Sequence, residues 1–176
     1  MAEGETRRLN IMRMLADSTG PLSGTELARA FGVSRQVIVQ DIALLRAVNK
    51  NILSTNKGYL LYAPEMDMAK VKRTVSVCHT DEQTEDELNT IVDCGGTILD
   101  VVVEHEIYGQ ITVDLLLKNR ADISEFMRKL KNVPAKPLKE LTNGDHFHTV
   151  EAESEQILDR IEEALGKKGY LRASQS

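Results

Sequence analysis

The stretch Ser23-Gly24-Thr25-Glu26-Leu27-Ala28-Arg29-Ala30-Phe31-Gly32-Val33-Ser34-Arg35-Gln36-Val37-Ile38 sets the architecture of the first third of the chain. Ser23 precedes Glu26 by three residues, the spacing of a capping box that satisfies orphan amides at a helix start. Leu27, Ala28 and Phe31 give that helix an inward face, and Gly32 ends it. Ser34 is a good N-cap for a further helix, predicted to run to about Val48. Before this pair, Leu9, Ile11, Met12, Met14 and Leu15 recur at helical spacing between Thr6 and Ser18, up to the breaker Thr19-Gly20-Pro21. After it, Ile52 to Tyr62 reads as two short strands around Asn56-Lys57-Gly58, a wing with Lys57 at its tip.

At about 100° per residue, the helix after Ser34 gathers Val33, Val37, Ile38, Ile42, Leu44 and Leu45 on one half. Arg35, Gln36, Val39, Gln40, Ala43 and Arg46 share the other. An exposed face of that kind suits a DNA groove. Arg and Gln make paired hydrogen bonds to guanine or adenine edges, and Val39 can touch a thymine methyl. Arg46, farther along, suits a phosphate. Ser34, Arg35, Gln36, Val39, Gln40, Arg46 and Lys57 are therefore the expected DNA contacts. The bland alternative is a three-helix bundle that merely exposes polar residues; the basic bias and the wing argue against it.

The net charge of −5 looks wrong for a DNA binder until it is divided. Residues 1–63 hold 8 Lys and Arg against 5 Asp and Glu; residues 64–176 hold 14 against 22. The first part can approach phosphates, and the second favours cations. The length of 176 residues suits two small domains, with a linker expected at Ala63-Pro64-Glu65-Met66-Asp67. No signal-like apolar stretch or membrane span is evident, and two cysteines, Cys78 and Cys94, make no disulfide framework. A cytoplasmic protein is the expectation.

Beyond the linker, residues 64–176 read as a compact α+β regulatory domain. Val71–His79, Thr97–His105 and Ile111–Leu117 pattern as strands, and Thr84–Asp93, Ile123–Leu130 and Ser154–Leu165 as helices. Asn143-Gly144 predicts a hairpin between Leu138–Leu141 and His146–Val150. Gly166-Lys167-Lys168-Gly169 reads as a helix stop rather than a phosphate loop.

All four histidines, His79, His105, His146 and His148, lie in this second domain. Residues two apart on a strand share a face, so the His146 and His148 imidazoles stand roughly 6.6 Å apart along the backbone, workable for one ion. His79 at a strand end and Glu87 in the first turn of the next helix can converge with them. Three nitrogens and one oxygen suit zinc, nickel or iron rather than calcium or magnesium. Each residue also has a structural alternative. Glu87 lies three residues after Thr84 and can complete a capping box. His146 and His148 can be ordinary strand residues, and His105 can pair with backbone at a strand end or, with Tyr108 and Gly109, line a small aromatic ligand.

Two sets of residues carry a resemblance. Phe31-Gly32-Val33-Ser34-Arg35-Gln36-Val37-Ile38 with Asp41-Ile42 and Leu45-Arg46 resembles the winged helix-turn-helix of bacterial repressors. Val77-Cys78-His79, Val103-Glu104-His105-Glu106-Ile107-Tyr108-Gly109 and Asp145-His146-Phe147-His148 resemble the three-histidine domain of niacin-responsive repressors of NAD biosynthesis and niacin uptake. The resemblance covers nearly the whole chain. It implies nickel or zinc at His79, Glu87, His146 and His148, with nicotinic acid as corepressor. His105 and Tyr108 are the expected wall for the corepressor ring and Arg120 the expected partner of its carboxylate, although Arg120 also suits a solvated position near a helix start. A homodimer on double-stranded operator DNA is expected. Competing readings are a metal-responsive repressor without niacin sensing and a metal-dependent hydrolase. The sequence lacks HExxH, G-x-S-x-G and phosphate-loop motifs, and Cys78 and His79, adjacent on a strand, point to opposite faces.

Overall fold

The computed structural model describes residues 2–48, 51–62 and 69–172, and the chain divides into two compact units, 1–68 and 69–176. The linker expected at Ala63–Asp67 lies outside the described residues. No described helix is long and apolar enough to cross a membrane.

The first unit contains three helices, α1 (Glu3–Asp17), α2 (Gly24–Phe31) and α3 (Arg35–Val48), and a ribbon of β1 (Ile52–Thr55) and β2 (Gly58–Leu61). The capping box forms as expected: the Ser23 side chain accepts from the Glu26 amide at 3.1 Å, and the Glu26 carboxylate accepts from the Ser23 amide at 2.7 Å. Gly32 turns the chain between α2 and α3 in the left-handed region, at φ 63° and ψ 33°. Glycine has no Cβ to oppose that conformation. Ile11, Leu15, Leu27, Ile38, Ile42 and Ile52 close the core. Leu44 departs from the expected inward face and is 56% exposed. Asp41 turns inward instead, accepting from Arg7 Nε at 2.6 Å and Arg8 Nη1 at 3.2 Å, so an ion pair joins α1 to α3.

The wing is reinforced from outside its own hairpin. Leu22 and Tyr59 exchange two backbone hydrogen bonds of 2.8 Å, an isolated β-bridge that ties the wing to the segment before α2. Gly58 makes that approach possible, because a Cβ there would lie 2.4 Å from the Leu22 carbonyl oxygen.

The second unit runs β3 (Val71–Cys78), α4 (Thr84–Asp93), β4 (Thr97–His105), β5 (Gly109–Leu117), α5 (Arg120–Asn132), β6 (Asp145–Ala152) and α6 (Glu155–Lys167). Its antiparallel sheet has the order β3-β6-β4-β5. The last long strand is thus inserted between the first two, and each crossover helix joins strands separated by one neighbour. Val75, Val77, Ile98 and Val150 of the sheet pack with Leu88, Ile91, Ile123, Leu158, Ile161 and Leu165 of the helices. In the β3–β6 register, Val75 faces His148 and Val77 faces His146. That alignment puts both imidazoles on the same face as the core valines, because side chains opposite one another in register share a face.

The hairpin predicted at Asn143-Gly144 is absent. Leu138–Thr142 forms a 3-10 turn, ended by Asn143 in the left-handed region at φ 55°. Pro134 and Pro137 bring no amide hydrogens to this segment, which weakens it as a strand. The Gly144 amide donates back to the Lys139 carbonyl at 2.9 Å. Two signals that read as a hairpin turn therefore stop a 3-10 turn and launch β6 toward β3 and β4.

Candidate metal centre and nucleic-acid interface

Four residues from two elements and one strand end meet on the core face of the sheet. His79 follows β3, Glu87 projects from the first turns of α4, and His146 and His148 alternate along β6. All four are buried, and Glu87 has no exposure at all. His79 Nε2 lies 3.0 Å from Glu87 Oε2, and His148 Nε2 lies 3.2 Å from Glu87 Oε1. The His146 ring stands 4.8 Å from the His79 ring and 4.9 Å from the His148 ring, centroid to centroid. One nitrogen or oxygen from each of His79, Glu87 and His146 falls within 4.8 Å of the others.

The far side of each imidazole is tied to backbone. His79 Nδ1 meets the Thr80 carbonyl at 2.8 Å, His146 Nδ1 the Gly144 carbonyl at 2.8 Å, and His148 Nδ1 the Asp100 carbonyl at 2.6 Å. A carbonyl accepts only from N–H, so these contacts place the proton on Nδ1 and leave the Nε2 lone pairs facing inward. His148 Nε2 and Glu87 Oε1, although 3.2 Å apart, are out of line for a hydrogen bond, and both remain without a partner among the described residues. Two buried polar atoms aimed at one space without partners fit the donor set of a transition metal.

Burial would raise the Glu87 carboxyl, but His148, His79 and His146 around it hold it below the usual carboxylate range. Burial, aided by His148, pushes His146 down to about 4. Burial also opposes charge on His148, yet the Glu87 carboxylate outweighs it and raises that imidazole. The signs define a test on metal-stripped protein. His146 buried as the neutral ring contributes stability fully above its ordinary 6.5 and loses it as the pH falls toward about 4. The His148 contribution is already complete below 6.5, and the Glu87 contribution is lost only below the usual carboxylate range. Thermal unfolding of stripped protein should therefore show a falling midpoint from pH 6.5 to about 4, and His146→Leu should flatten it; an equally steep fall in the variant would refute the assignment.

Glu87 does not act as the cap considered from the sequence. The capping box belongs to the 3-10 turn Asp81–Gln83, where Thr80 and Gln83 exchange side-chain and backbone bonds. Lys139 is an unforeseen neighbour. It is buried, with Nζ 2.9 Å from Asp81 Oδ1 and 3.2 Å from the His79 carbonyl. Tyr170 packs edge-on to His79 at 5.6 Å, and its hydroxyl donates to Asp86 at 2.7 Å.

A cavity of about 190 Å³ opens beside these ligands, with Glu87, His146 and His148 at its polar end. Val101, Val113, Leu115, Phe126 and Leu130 supply apolar walls, and Lys136 to Lys139 close another side. The residues expected to hold the effector are elsewhere. His105 and Tyr108 stack at 5.0 Å on the β4–β5 turn, with Tyr108 76% exposed. His105 Nδ1 accepts from the Ile107 and Tyr108 amides, the backbone pairing considered from the sequence. Arg120, exposed, makes a two-pronged bond to Asp93. None of the three lines the cavity.

In the first unit, Ser34 caps α3, its hydroxyl accepting from the Val37 amide at 3.3 Å. Arg35, Gln36, Gln40 and Arg46 are exposed along α3, while Val39 is half-buried. Lys57 stands in the turn between β1 and β2, half-buried. The exposed N-terminal turns of a second helix, beside a wing, match the arrangement by which helix-turn-helix proteins enter the major groove.

An HTH domain model matches residues 7–60, and a 3H domain model matches residues 72–174. Over 169 residues the chain is 40% identical to "Transcription repressor NadR" of Bacillus subtilis, spanning 96% of this chain and 94% of that protein. Over 167 residues it is 40% identical to "Probable transcription repressor NiaR" of Thermotoga maritima, spanning 95% and 94%.

Proposed function

The chain belongs to the 3H-domain family of helix-turn-helix transcription repressors, and from that premise we propose that it represses NAD-biosynthesis or niacin-uptake genes with nicotinic acid as corepressor. Membership in a repressor family sets the hydrolase alternative aside. In the proposed mechanism, His79, Glu87, His146 and His148 hold nickel or zinc, and the bound ion supplies Lewis acidity and open coordination positions. The observation that carries this reading is the meeting of donor atoms of His79, Glu87 and His146 within 4.8 Å of one another, with His148 Nε2 3.2 Å from Glu87 Oε1 and those last two atoms buried without hydrogen bonds. Two copies of the chain then present two α3 helices to a two-fold operator. Nicotinic acid acts as corepressor by binding the DNA-competent state more tightly than the other.

The test is a gel shift on the protein's own upstream promoter. Binding should tighten with nicotinic acid when metal is present and lose that response with chelator. A shift that follows chelation alone, indifferent to nicotinic acid, favours the reading in which the ion itself is the signal. Absence of any promoter binding removes both.

A further inference from the structure

We propose that two copies of the chain join edge to edge along β5, the two strands pairing antiparallel about a two-fold axis at Thr112 and fusing two four-stranded sheets into one. The proposal rests on the two-copy reading above and names the surface that joins the copies.

The two edges of the sheet differ. An open strand edge invites pairing with another chain, and native proteins blunt theirs with lysine, proline, bulges or a covering segment. The β3 edge is blunted. Tyr170–Arg172 runs along it, Cys78 donating its amide to the Tyr170 carbonyl at 2.8 Å and Arg172 donating its own to the Ser76 carbonyl at 3.0 Å. Lys72 stands exposed farther along the same strand. The β5 edge has neither device. It pairs with β4 alone among the described residues, and Gly109-Gln110-Ile111-Thr112-Val113 contains no charge and no proline. Ile111, Thr112 and Val113 are β-branched, which suits a strand paired on both sides.

Val113 shows what the edge lacks. Strand alternation puts it on the face of Leu115 and Leu117, both buried, and its register partner is Val101. It is nonetheless 41% exposed, because the sheet stops beside it. A further strand would cover it.

A second copy fits because the edge is self-complementary. With Thr112 on the axis, Ile111 faces Val113 of the partner subunit and Gln110 faces the partner's Asp114. Two apolar pairs then meet on the helix-bearing face, and no like charges stand opposite one another. An axis at Asp114 would oppose two carboxylates, and Leu116, at φ 55°, ends the regular edge just beyond it. Closure follows from the blunted β3. Each sheet offers one open edge, so joining β5 to β5 consumes both and stops at two copies, the number a two-fold operator takes.

Analytical ultracentrifugation of the full chain tests this with Thr112→Lys and Thr112→Val. Thr112 is exposed, so neither change disturbs the core, and far-UV circular dichroism establishes that each variant is folded. Lysine sets two ammonium groups against each other across the axis and should raise the dimer dissociation constant at least about tenfold; valine should leave it near the parent value. Cysteine scanning gives a second readout that does not depend on the lysine variant. Thr112→Cys meets its twin and should form a covalent dimer under mild oxidation, within the Cα reach of about 7 Å that a disulfide spans. Gln110→Cys lies roughly 13 Å from its twin along the paired strands and should not, which also controls for Cys78 and Cys94. A Thr112→Lys chain that dimerises as tightly as the parent overturns the β5 seam and leaves the two-copy reading intact. Equal weakening by valine, or crosslinking at position 110 instead of 112, overturns the axis at Thr112. A parent chain that is monomeric both free and on promoter DNA overturns the seam and the two-copy reading together.

Discussion

Purified His146→Ala protein is expected to carry almost no transition metal while keeping its fold and its basal affinity for DNA. In the proposed ligand set, protonation of His146 would compete little with an ion near neutral pH, since burial holds its ring down to about 4. Its Nδ1 is fixed on the Gly144 carbonyl at 2.8 Å, so the ring would meet an ion without a rotamer search. Disturbing an outer partner of a metal ligand costs roughly 10–100-fold in affinity, and removing the ligand itself should exceed about 100-fold. The sheet does not depend on this ring, because β6 keeps its backbone pairing with β3 from Val71↔Ala152 to Cys78↔Asp145. Elemental analysis after dialysis should give near one metal per chain for the parent protein and a small fraction for the variant. The gel shift of the variant should no longer respond to nicotinic acid. One full equivalent of metal in His146→Ala would remove His146 from the ligand set.

The carbonyls that orient the imidazoles explain how an ion can act as a structural reporter. Thr80 lies just after β3, Asp100 in β4 and Gly144 at the threshold of β6, so the three rings are aligned by three separate pieces of chain. An ion held by the rings, as proposed, would pin those pieces together. In the proposed function such an ion would lie at the polar end of the cavity, where Lys136 to Lys139 form a wall. Lys139 reaches from that wall to the His79 carbonyl, which couples the cavity's lining to the ligand shell.

Local signals made the first unit legible, because capping and helical spacing act over a few residues. Ser23 with Glu26, Gly32, Ser34 and the turn at Asn56-Lys57 each perform their expected role. Leu44 escaped the helical wheel because the wheel assumes one continuous buried face. Asp41, drawn inward by Arg7 and Arg8, takes part of that face. In the second unit, spacing two apart put His146 and His148 together, since strand alternation is also local. That His79 and Glu87 meet them depends on β6 inserting beside β3, a long-range pairing no short window contains. The false hairpin has the same origin: Asn143 and Gly144 specify positive φ, which serves a 3-10 stop as well as a turn. The cavity was invisible for a further reason. Val101, Leu115, Phe126 and Leu130 look like ordinary core residues, and only their failure to close the space beside the histidines sets them apart.

Arg35→Ala is expected to abolish operator discrimination while leaving metal content and nicotinate binding untouched. Arg35 opens α3 directly after the Ser34 cap, where helix-turn-helix proteins meet base edges. Its side chain is exposed and passes close to Gly24, where an added Cβ would lie 3.3 Å from Arg35 Nε. A guanidinium is a planar fork, so it loses less entropy per hydrogen bond than a lysine would on forming a two-pronged bond to guanine. One such bond is worth about 1–3 kcal/mol of discrimination, so operator affinity should fall by about 5- to 150-fold per half-site. Lys57→Ala supplies the contrast. A wing lysine that meets phosphate contributes to all sequences alike, so its loss should lower the salt slope by about one without altering preference. Titrations of operator and scrambled DNA at several salt concentrations separate the two variants. If Arg35→Ala weakens both DNAs equally and flattens the salt slope, Arg35 is a phosphate contact and base reading falls to Gln36 and Gln40, which are exposed on the same helix.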